Sequence, residues 1–293
     1  PPFVVAELQE DHNGSLDRAL EHIREARRRG ADAIKLQTYT PETMTIDCDE
    51  SDFYIHGGLW DGWTLHDLYK TAHTSWEWHD ALFAEARRIG IVPFSTPFDD
   101  SAVDLLERLD APAYKVASFE LVDPRLLARV ARTGRPVVLS TGMATLGEIA
   151  EAVETLTSNG CRELVLLHCV SAYPAPASAA NLKTIAHMGE AFGVPVGLSD
   201  HTTGTAVACA AVALGACTVE KHFILDRRDG GPDSEFSIEP DELEELVTGC
   251  RTAWEARGEV NYGREPAERA NLAFRRSIYV VADVAEGEAL TVQ

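Results

Sequence analysis

Apolar residues along this chain switch repeatedly between two periods. Short runs rich in Val, Ile, Leu and Phe alternate with longer stretches in which apolar positions recur every three or four residues. The short runs predict strands over Phe3–Leu8, Ala33–Gln37, Val92–Thr96, Ala113–Ser118, Pro136–Thr141, Leu164–Cys169, Val194–Leu198 and Thr218–His222. The longer ones predict helices over Leu16–Arg29, Trp76–Ile89, Ala102–Leu109, Pro124–Arg132, Leu146–Ser158, Ala180–Glu190, Ala206–Leu214 and Glu242–Ala256. Ser15, Thr145 and Asp241 stand where helices start, and Gly30, Gly90, Gly134 and Gly215 where they stop. Eight strand–helix units in about 255 residues have the count and length of an α/β (β/α)8 TIM barrel, here residues 1–258. A doubly wound open sheet is the alternative, but it usually opens on a glycine-rich phosphate loop. The first strand instead runs into ELQEDHNG.

Two stretches break the pattern. The connection from Thr38 to Ser75 is far longer than the usual 2–6 residues and carries Phe53, Tyr54, Trp60 and Trp63, as a lid or a subunit contact would. Beyond the eighth helix, residues 259–275 read as a linker. Residues 276–293 read as the beginning of another small unit, with a strand from Arg276 and a turn at Glu286-Gly287.

Composition narrows the function. The chain has 293 residues and a formal net charge of −21, which disfavours phosphate backbones and anionic lipids, so nucleic acid and membrane partners are not expected. No apolar run approaches the roughly 20 residues of a membrane span, and the N-terminus shows no basic segment of a signal peptide. The six cysteines show no CxxC pair and no zinc spacing, so a reducing cytoplasm is expected. Any anion bound by so acidic a chain needs a local cluster of lysines, hydroxyls and backbone N–H groups.

Such a cluster is written at the strand ends, which form one catalytic rim in a TIM barrel. They carry Glu7; Lys35 and Gln37; Ser95 and Thr96; Lys115, Ser118 and Glu120; Ser140 and Thr141; His168, Ser171 and Tyr173; Ser199, Asp200 and His201; Glu220, Lys221 and His222. His201 and His222 end consecutive strands, where two imidazoles with water or substrate oxygens suit an open divalent metal site. Two carbonyl-bonded core histidines are the alternative, and His12 and His168 are further candidates. Lys35, Lys115, Ser118, Thr96 and Ser199 suit an anion clamp, although either lysine could instead form a Schiff base. Glu7, Glu120 and Asp233 remain for sugar hydroxyls and proton transfer; Asp233, in a long loop, also reads as a solvated acid.

The stretches AELQEDHNGSLDRAL, GADAIKLQTYTPETMT, FSTPFD, YKVASFE, VVLSTGMATLGEI, LLHCVSAYPAP, GLSDHT and EKHFILDRRDGGPDSEFS resemble the sialic acid synthase family from Phe3 onward. Within it they are most similar to the pseudaminate branch, to which Ser171 in CVSAYP also points. The resemblance implies condensation of phosphoenolpyruvate with an acetamido sugar and water, giving a nine-carbon 2-keto sugar acid and phosphate. For this branch the sugar is 2,4-diacetamido-2,4,6-trideoxy-altrose; N-acetylneuraminate and legionaminate synthesis are alternatives with the same chemistry. It implies His201 and His222 as ligands of a divalent metal, Mn or Mg first and Zn, Co or Fe next, with no organic cofactor. Lys35, Thr96, Lys115, Ser118 and Ser199 match its phosphoenolpyruvate contacts. Glu7, Gln37 and Asp233 match the sugar contacts, Phe98 and Tyr173 line the mouth, and Ser140 and Ser171 complete the substrate set. Glu120, Glu7 and Lys115 are the expected catalytic groups, with Glu120 as base for the water. Asp11 departs from the usual Asn. The resemblance also implies a homodimer in which a C-terminal antifreeze-like (SAF) domain, reached through Phe274–Val281, lends an Arg to the partner's sugar site. Residues 276–293 would be its incomplete start, and a barrel lacking the rest is expected to bind phosphoenolpyruvate but condense poorly.

Overall fold

The computed structural model describes residues 1–8, 12, 14–289 and 291. Two units are distinguished, residues 1–257 and 258–293. In the first, β1 (Phe3–Glu7), β2 (Ala33–Thr38), β3 (Val92–Pro97), β4 (Tyr114–Val116), β5 (Val137–Ser140), β6 (Leu164–Cys169), β7 (Val196–Asp200) and β8 (Thr218–His222) close a parallel barrel in sequence order. The helices are α1 (Leu16–Arg28), α2 (Pro41–Met44), α3 (Leu65–Ala72), α4 (His79–Ile89), α5 (Asp100–Arg108), α6 (Pro124–Ala131), α7 (Leu146–Ser158), α8 (Lys183–Phe192), α9 (Ala206–Ala213) and α10 (Pro240–Arg257). The TIM barrel expected from the sequence is therefore the observed fold.

Side chains alternate across a strand, and that alternation divides the apolar residues in two. Residues such as Val4, Ala6, Ile34, Leu36, Val116, Leu139, Leu166, Leu198 and Val219 join Ile23, Leu82, Leu106, Leu127, Ile185 and Leu246 in one large core between sheet and helices. A separate small cluster of Val5, Ala33 and Phe94, with Ala113 against it, comes from the alternate positions. Above it the interior positions are polar, so the apolar layers that usually fill such a barrel give way to a charged site. Gly197 marks how tightly the staves pack. A Cβ there would lie 2.4 Å from the Thr218 carbonyl oxygen and 2.7 Å from Leu167 Cδ2.

Boundaries shift where local chemistry intervenes. β7 starts at Val196 rather than Val194, because Pro195 has no N–H for a ladder, although its carbonyl accepts from Leu166 N–H. β4 is only three residues long, and the chain then turns with Glu120 N–H donating to the Ala117 carbonyl. α5 begins two residues early because Asp99 caps it, accepting from Ala102 N–H at 3.0 Å. Thr145 caps α7 with Glu148 closing a capping box, and Ser15 caps α1. Asp241 lies inside the first turn of α10, which starts at Pro240. Gly90 ends α4 in the left-handed conformation, as its position suggested.

The long connection after β2 is structured. It holds α2, a 3-10 turn at Ser51–Phe53, an antiparallel bridge between Tyr54 and Thr64, α3, and a 3-10 turn at Trp76–Trp78. In the second unit a 3-10 helix spans Pro266–Phe274, and Glu286-Gly287 forms the expected turn. No strand forms among its described residues: 276–281 are exposed and belong to no ladder. Among the described residues no helix is long and apolar enough to cross a membrane.

Candidate active site

Sheet register assembles the site. Glu7 stands opposite Lys35 on one side and His222 on the other, and Ser199 stands opposite Glu220. Lys35 Nζ lies 2.8 Å from Glu7 Oε1 and 3.0 Å from Glu220 Oε1. Lys115 Nζ donates to the same Glu220 oxygen at 2.7 Å and to Ser140 Oγ at 2.5 Å. Ser199 Oγ donates to Glu220 Oε1 at 3.0 Å, and Gln37 Nε2 to Glu7 Oε1 at 3.0 Å. All four charged groups are buried. A lone buried charge costs several kcal/mol, so this two-against-two arrangement is what makes the polar interior tolerable.

The cluster's charges set one another. Burial opposes ionisation of Glu7, yet His222 and Lys35 hold its carboxyl well below the usual range. Burial likewise opposes the Lys35 ammonium, but Glu220 and Glu7 raise its pKa. At Lys115 burial prevails over Glu220 and lowers the pKa. Glu220 is lowered despite burial by Lys115 and Lys35. Both lysines thus point their ammonium groups at one carboxylate, beside the hydroxyls of Ser140 and Ser199. Thr96 Oγ1 is buried without a partner, one more unused group in the same barrel.

Beside this clamp stand the two histidines, with ring centroids 5.4 Å apart. His201 Nδ1 faces the Val170 carbonyl at 3.0 Å, which fixes the tautomer that leaves Nε2 free to ligate. The same Nδ1 lies 3.8 Å from Cys169 Sγ; burial pushes that thiol's pKa up, but His201 draws it down to about 7. His222 Nε2 is 3.3 Å from Glu7 Oε2, and its Nδ1 is 3.2 Å from Asp233 Oδ2. That second pair is close but not aligned as a hydrogen bond, and both atoms are buried and unsatisfied. Two imidazoles flanked by two carboxylates, with orphaned donor atoms, fit a divalent cation completed by water or substrate oxygens. Among the described residues no three His, Cys, Asp or Glu side chains already converge as a cage.

Aromatic rings form the wall above. Tyr173 lies 4.5 Å from the His201 ring and 5.4 Å from Phe236, which packs 4.9 Å from His222. Phe98 packs on Tyr39, which in turn meets Tyr69 of α3. Glu120, in the turn after β4, has a buried, unpartnered Oε2. Burial raises its pKa to about 7, and Asp123 adds to the shift. Ser118 Oγ accepts from Gly142 N–H at 2.9 Å. A Cβ on Gly142 would meet the hydroxyls of both Ser118 and Ser171, so these two serines converge on one backbone position.

The rim thus brings together many of the residues read from the sequence and leaves others aside, among them Ser95, which bonds Thr38, and Thr141, which donates to the Leu167 carbonyl. Lys221 alternates with Glu220 and His222 along β8, so it takes the other face and pairs with Asp200 at 2.8 Å. His168 is 2.7 Å from the Ala180 carbonyl. Both His12 ring nitrogens are engaged, with Gly14 N–H and Thr74 Oγ1, so the ring has no lone pair to offer a metal. Asp11 lies outside the described residues. Glu220 as the shared counter-ion and Phe236 as a wall were not legible. An alternating strand marks which face Glu220 takes, but only closure of the barrel places two lysines on it.

Comparison with known proteins agrees with this architecture. The profile described as the NeuB family matches residues 22–262. A pseudaminic acid synthase from Helicobacter pylori is 43% identical over 99% of this chain and 86% of its own length. One from Campylobacter jejuni is 42% identical over 98% of this chain and 83% of its own. The crystal structure of an N-acetylneuraminic acid synthetase from Leptospira borgpetersenii, solved with citrate, superimposes with a TM-score of 0.82 at 32% identity, covering 94% of this chain and 91% of that one. A charged barrel interior opening on a histidine pair, together with these likenesses, makes the chain a member of the NeuB family of sialic acid synthases.

Proposed function

We propose that this protein condenses phosphoenolpyruvate with 2,4-diacetamido-2,4,6-trideoxy-altrose and water, releasing phosphate and a nine-carbon 2-keto sugar acid. The observation that carries the reading is the pair of lysines converging on Glu220 beside His201 and His222. It offers an anion clamp and a cation site side by side. The choice of sugar rests on the 42–43% identity to pseudaminic acid synthases.

In this reading Lys35, Lys115, Ser118, Thr96, Ser140 and Ser199 hold phosphoenolpyruvate through charge-assisted and hydroxyl hydrogen bonds. Gln37, Ser171, Tyr173, Phe98 and Asp233 orient the sugar. His201 and His222 would hold a divalent ion, Mn or Mg, which would supply a Lewis acid for the open-chain aldehyde. C3 of phosphoenolpyruvate attacks the aldehyde carbon, and the positive charge arising at C2 faces Glu7 and the bound phosphate. Glu120, with a pKa near 7, takes a proton from the water that adds at C2. The former aldehyde oxygen takes up one proton to become a hydroxyl, and the C2–O bond to phosphate breaks as the C2 hydroxyl passes its proton to the leaving phosphate and becomes the keto group. A homodimer completed by a C-terminal domain, in a cytoplasm consistent with six free thiols, belongs to the same proposal.

The lowered pKa of Lys115 is the one feature that favours a Schiff-base aldolase instead. Phosphoenolpyruvate labelled with 18O at the bridging oxygen separates the two. Our reading expects the label in the released phosphate, with both sugar and divalent ion required. Borohydride trapping of pyruvate on a lysine, with unlabelled phosphate, would overturn it.

A further inference from the structure

The tip of the β2–α4 connection reaches the site through Trp60. Ile55 N–H donates to Trp63 O at 2.9 Å, Gly62 N–H to Ile55 O at 3.0 Å, and Gly57 N–H to Asp61 Oδ1 at 2.6 Å. Gly57 and Gly62 take φ values of +80° and +83°, which suit glycine, so the tip is a closed turn whose shape is set by its own backbone. Trp60 leaves that turn toward the mouth. Its indole N–H donates to the Pro232 carbonyl at 3.2 Å, one residue before Asp233, and its ring stands 5.8 Å from Tyr173. Tyr173 contacts His201, and Phe236 contacts both Tyr173 and His222. The rings therefore run from the histidine pair outward and end at Trp60, while the charged groups lie on the floor.

We infer that Trp60 is a specificity-determining wall that covers the end of the acceptor sugar remote from its aldehyde and favours a methyl over a hydroxymethyl terminus there. This rests on the condensation reading above, which places the aldehyde at the histidines and so directs the other end of the sugar toward the rim. The bond to Pro232 ties the wall to the loop that carries Asp233, so three loops, after β2, β6 and β8, grip one ligand. The face of the Trp60 ring offers a sugar hydroxyl no partner, its N–H being bonded to Pro232, and apolar pockets discriminate against an added hydroxyl by about a hundredfold at most.

The test compares kcat/KM for 2,4-diacetamido-2,4,6-trideoxy-altrose with that for the same sugar carrying a C6 hydroxyl, in wild type, Trp60→Ala and Trp60→Phe. Wild type is expected to prefer the deoxy sugar by about tenfold or more. Trp60→Ala should bring the ratio to near unity by raising KM for the deoxy sugar, with KM for phosphoenolpyruvate held. Trp60→Phe, which keeps a ring but loses the N–H, should fall between. A preference unchanged in Trp60→Ala, or a change in phosphoenolpyruvate KM that tracks the sugar's, overturns the inference while leaving the condensation reading intact. Absence of phosphate release from wild type with either sugar overturns both. Thermal melts with and without phosphoenolpyruvate identify a variant that has lost its fold; Trp60→Phe then decides by the same ratio.

Discussion

Replacing Glu220 by Gln tests the charge balance inside the barrel. Glu220 Oε1 receives Lys35 at 3.0 Å, Lys115 at 2.7 Å and Ser199 at 3.0 Å, all buried. Glutamine keeps the shape but not the charge. Lys35 retains the Glu7 carboxylate, whereas Lys115 keeps only neutral acceptors, Ser140 and the amide oxygen. Breaking a buried pair from one side costs about 3–5 kcal/mol. The low end, ~3 kcal/mol, applies because burial already lowers the Lys115 pKa, so that lysine can shed its proton. In a domain of this size that is a fall in Tm of roughly 6–12 °C. Proton release relieves the penalty, so the deficit should be larger near pH 6 than near pH 9. Near pH 6, where Lys115 keeps its proton, removing one carboxylate from two lysines and two carboxylates leaves the cluster one charge positive. Phosphate or phosphoenolpyruvate should therefore raise the variant's Tm more than the wild type's. Scanning calorimetry at both pH values, with and without phosphate, measures all three effects. A variant melting within about 2 °C of wild type at pH 6, or one that anions protect less, would refute the charge-balance argument.

Other consequences follow from single groups. The acid limb of kcat/KM should show an apparent pKa near 7 from Glu120, with activity falling below it, and Glu120→Gln should abolish that limb along with most turnover. Because the Glu120 pKa is raised from its ordinary 4.5, its contribution to stability is fully present below that value and is lost as pH rises through about 7. Melting curves of Glu120→Gln should lack that slope. Gly197→Ala should be destabilised by about 1–3 kcal/mol or more or fail to fold, since the added Cβ meets a backbone carbonyl at 2.4 Å; a melt matching wild type would contradict the packing described. Chelation with EDTA should abolish phosphate release and Mn should restore it. In His222→Ala, Mn should restore little, and unchanged activity in chelator would exclude the histidine pair as a cation site.

Period alone was enough for the eight staves and the rim, because a parallel barrel buries one face of every strand under a helix and turns the other inward. It could not tell which rim residues meet. Lys221 and Glu220 are neighbours in sequence, and only alternation separates a structural pair with Asp200 from a hub for two lysines. From spacing alone His201 and His222 could be a metal pair or two core histidines, and the family resemblance pointed to the first; the barrel sets their rings 5.4 Å apart, with orphaned His222 Nδ1 and Asp233 Oδ2 beside them. His12 looked comparable on paper, yet Thr74 and Gly14 occupy its ring. Trp60 could be read only as part of a lid or subunit contact, because its partners, Pro232 and Tyr173, lie more than a hundred residues away.

The central claim is tested most directly by incubating the protein with phosphoenolpyruvate, Mn and, separately, 2,4-diacetamido-2,4,6-trideoxy-altrose, its legionaminate-series epimer and N-acetylmannosamine, with phosphate and product mass read together. The account predicts stoichiometric phosphate and a nine-carbon keto acid, fastest with the altrose sugar. Equal or faster turnover of N-acetylmannosamine would contradict the sugar assignment, and product formed without phosphate release would contradict the reaction.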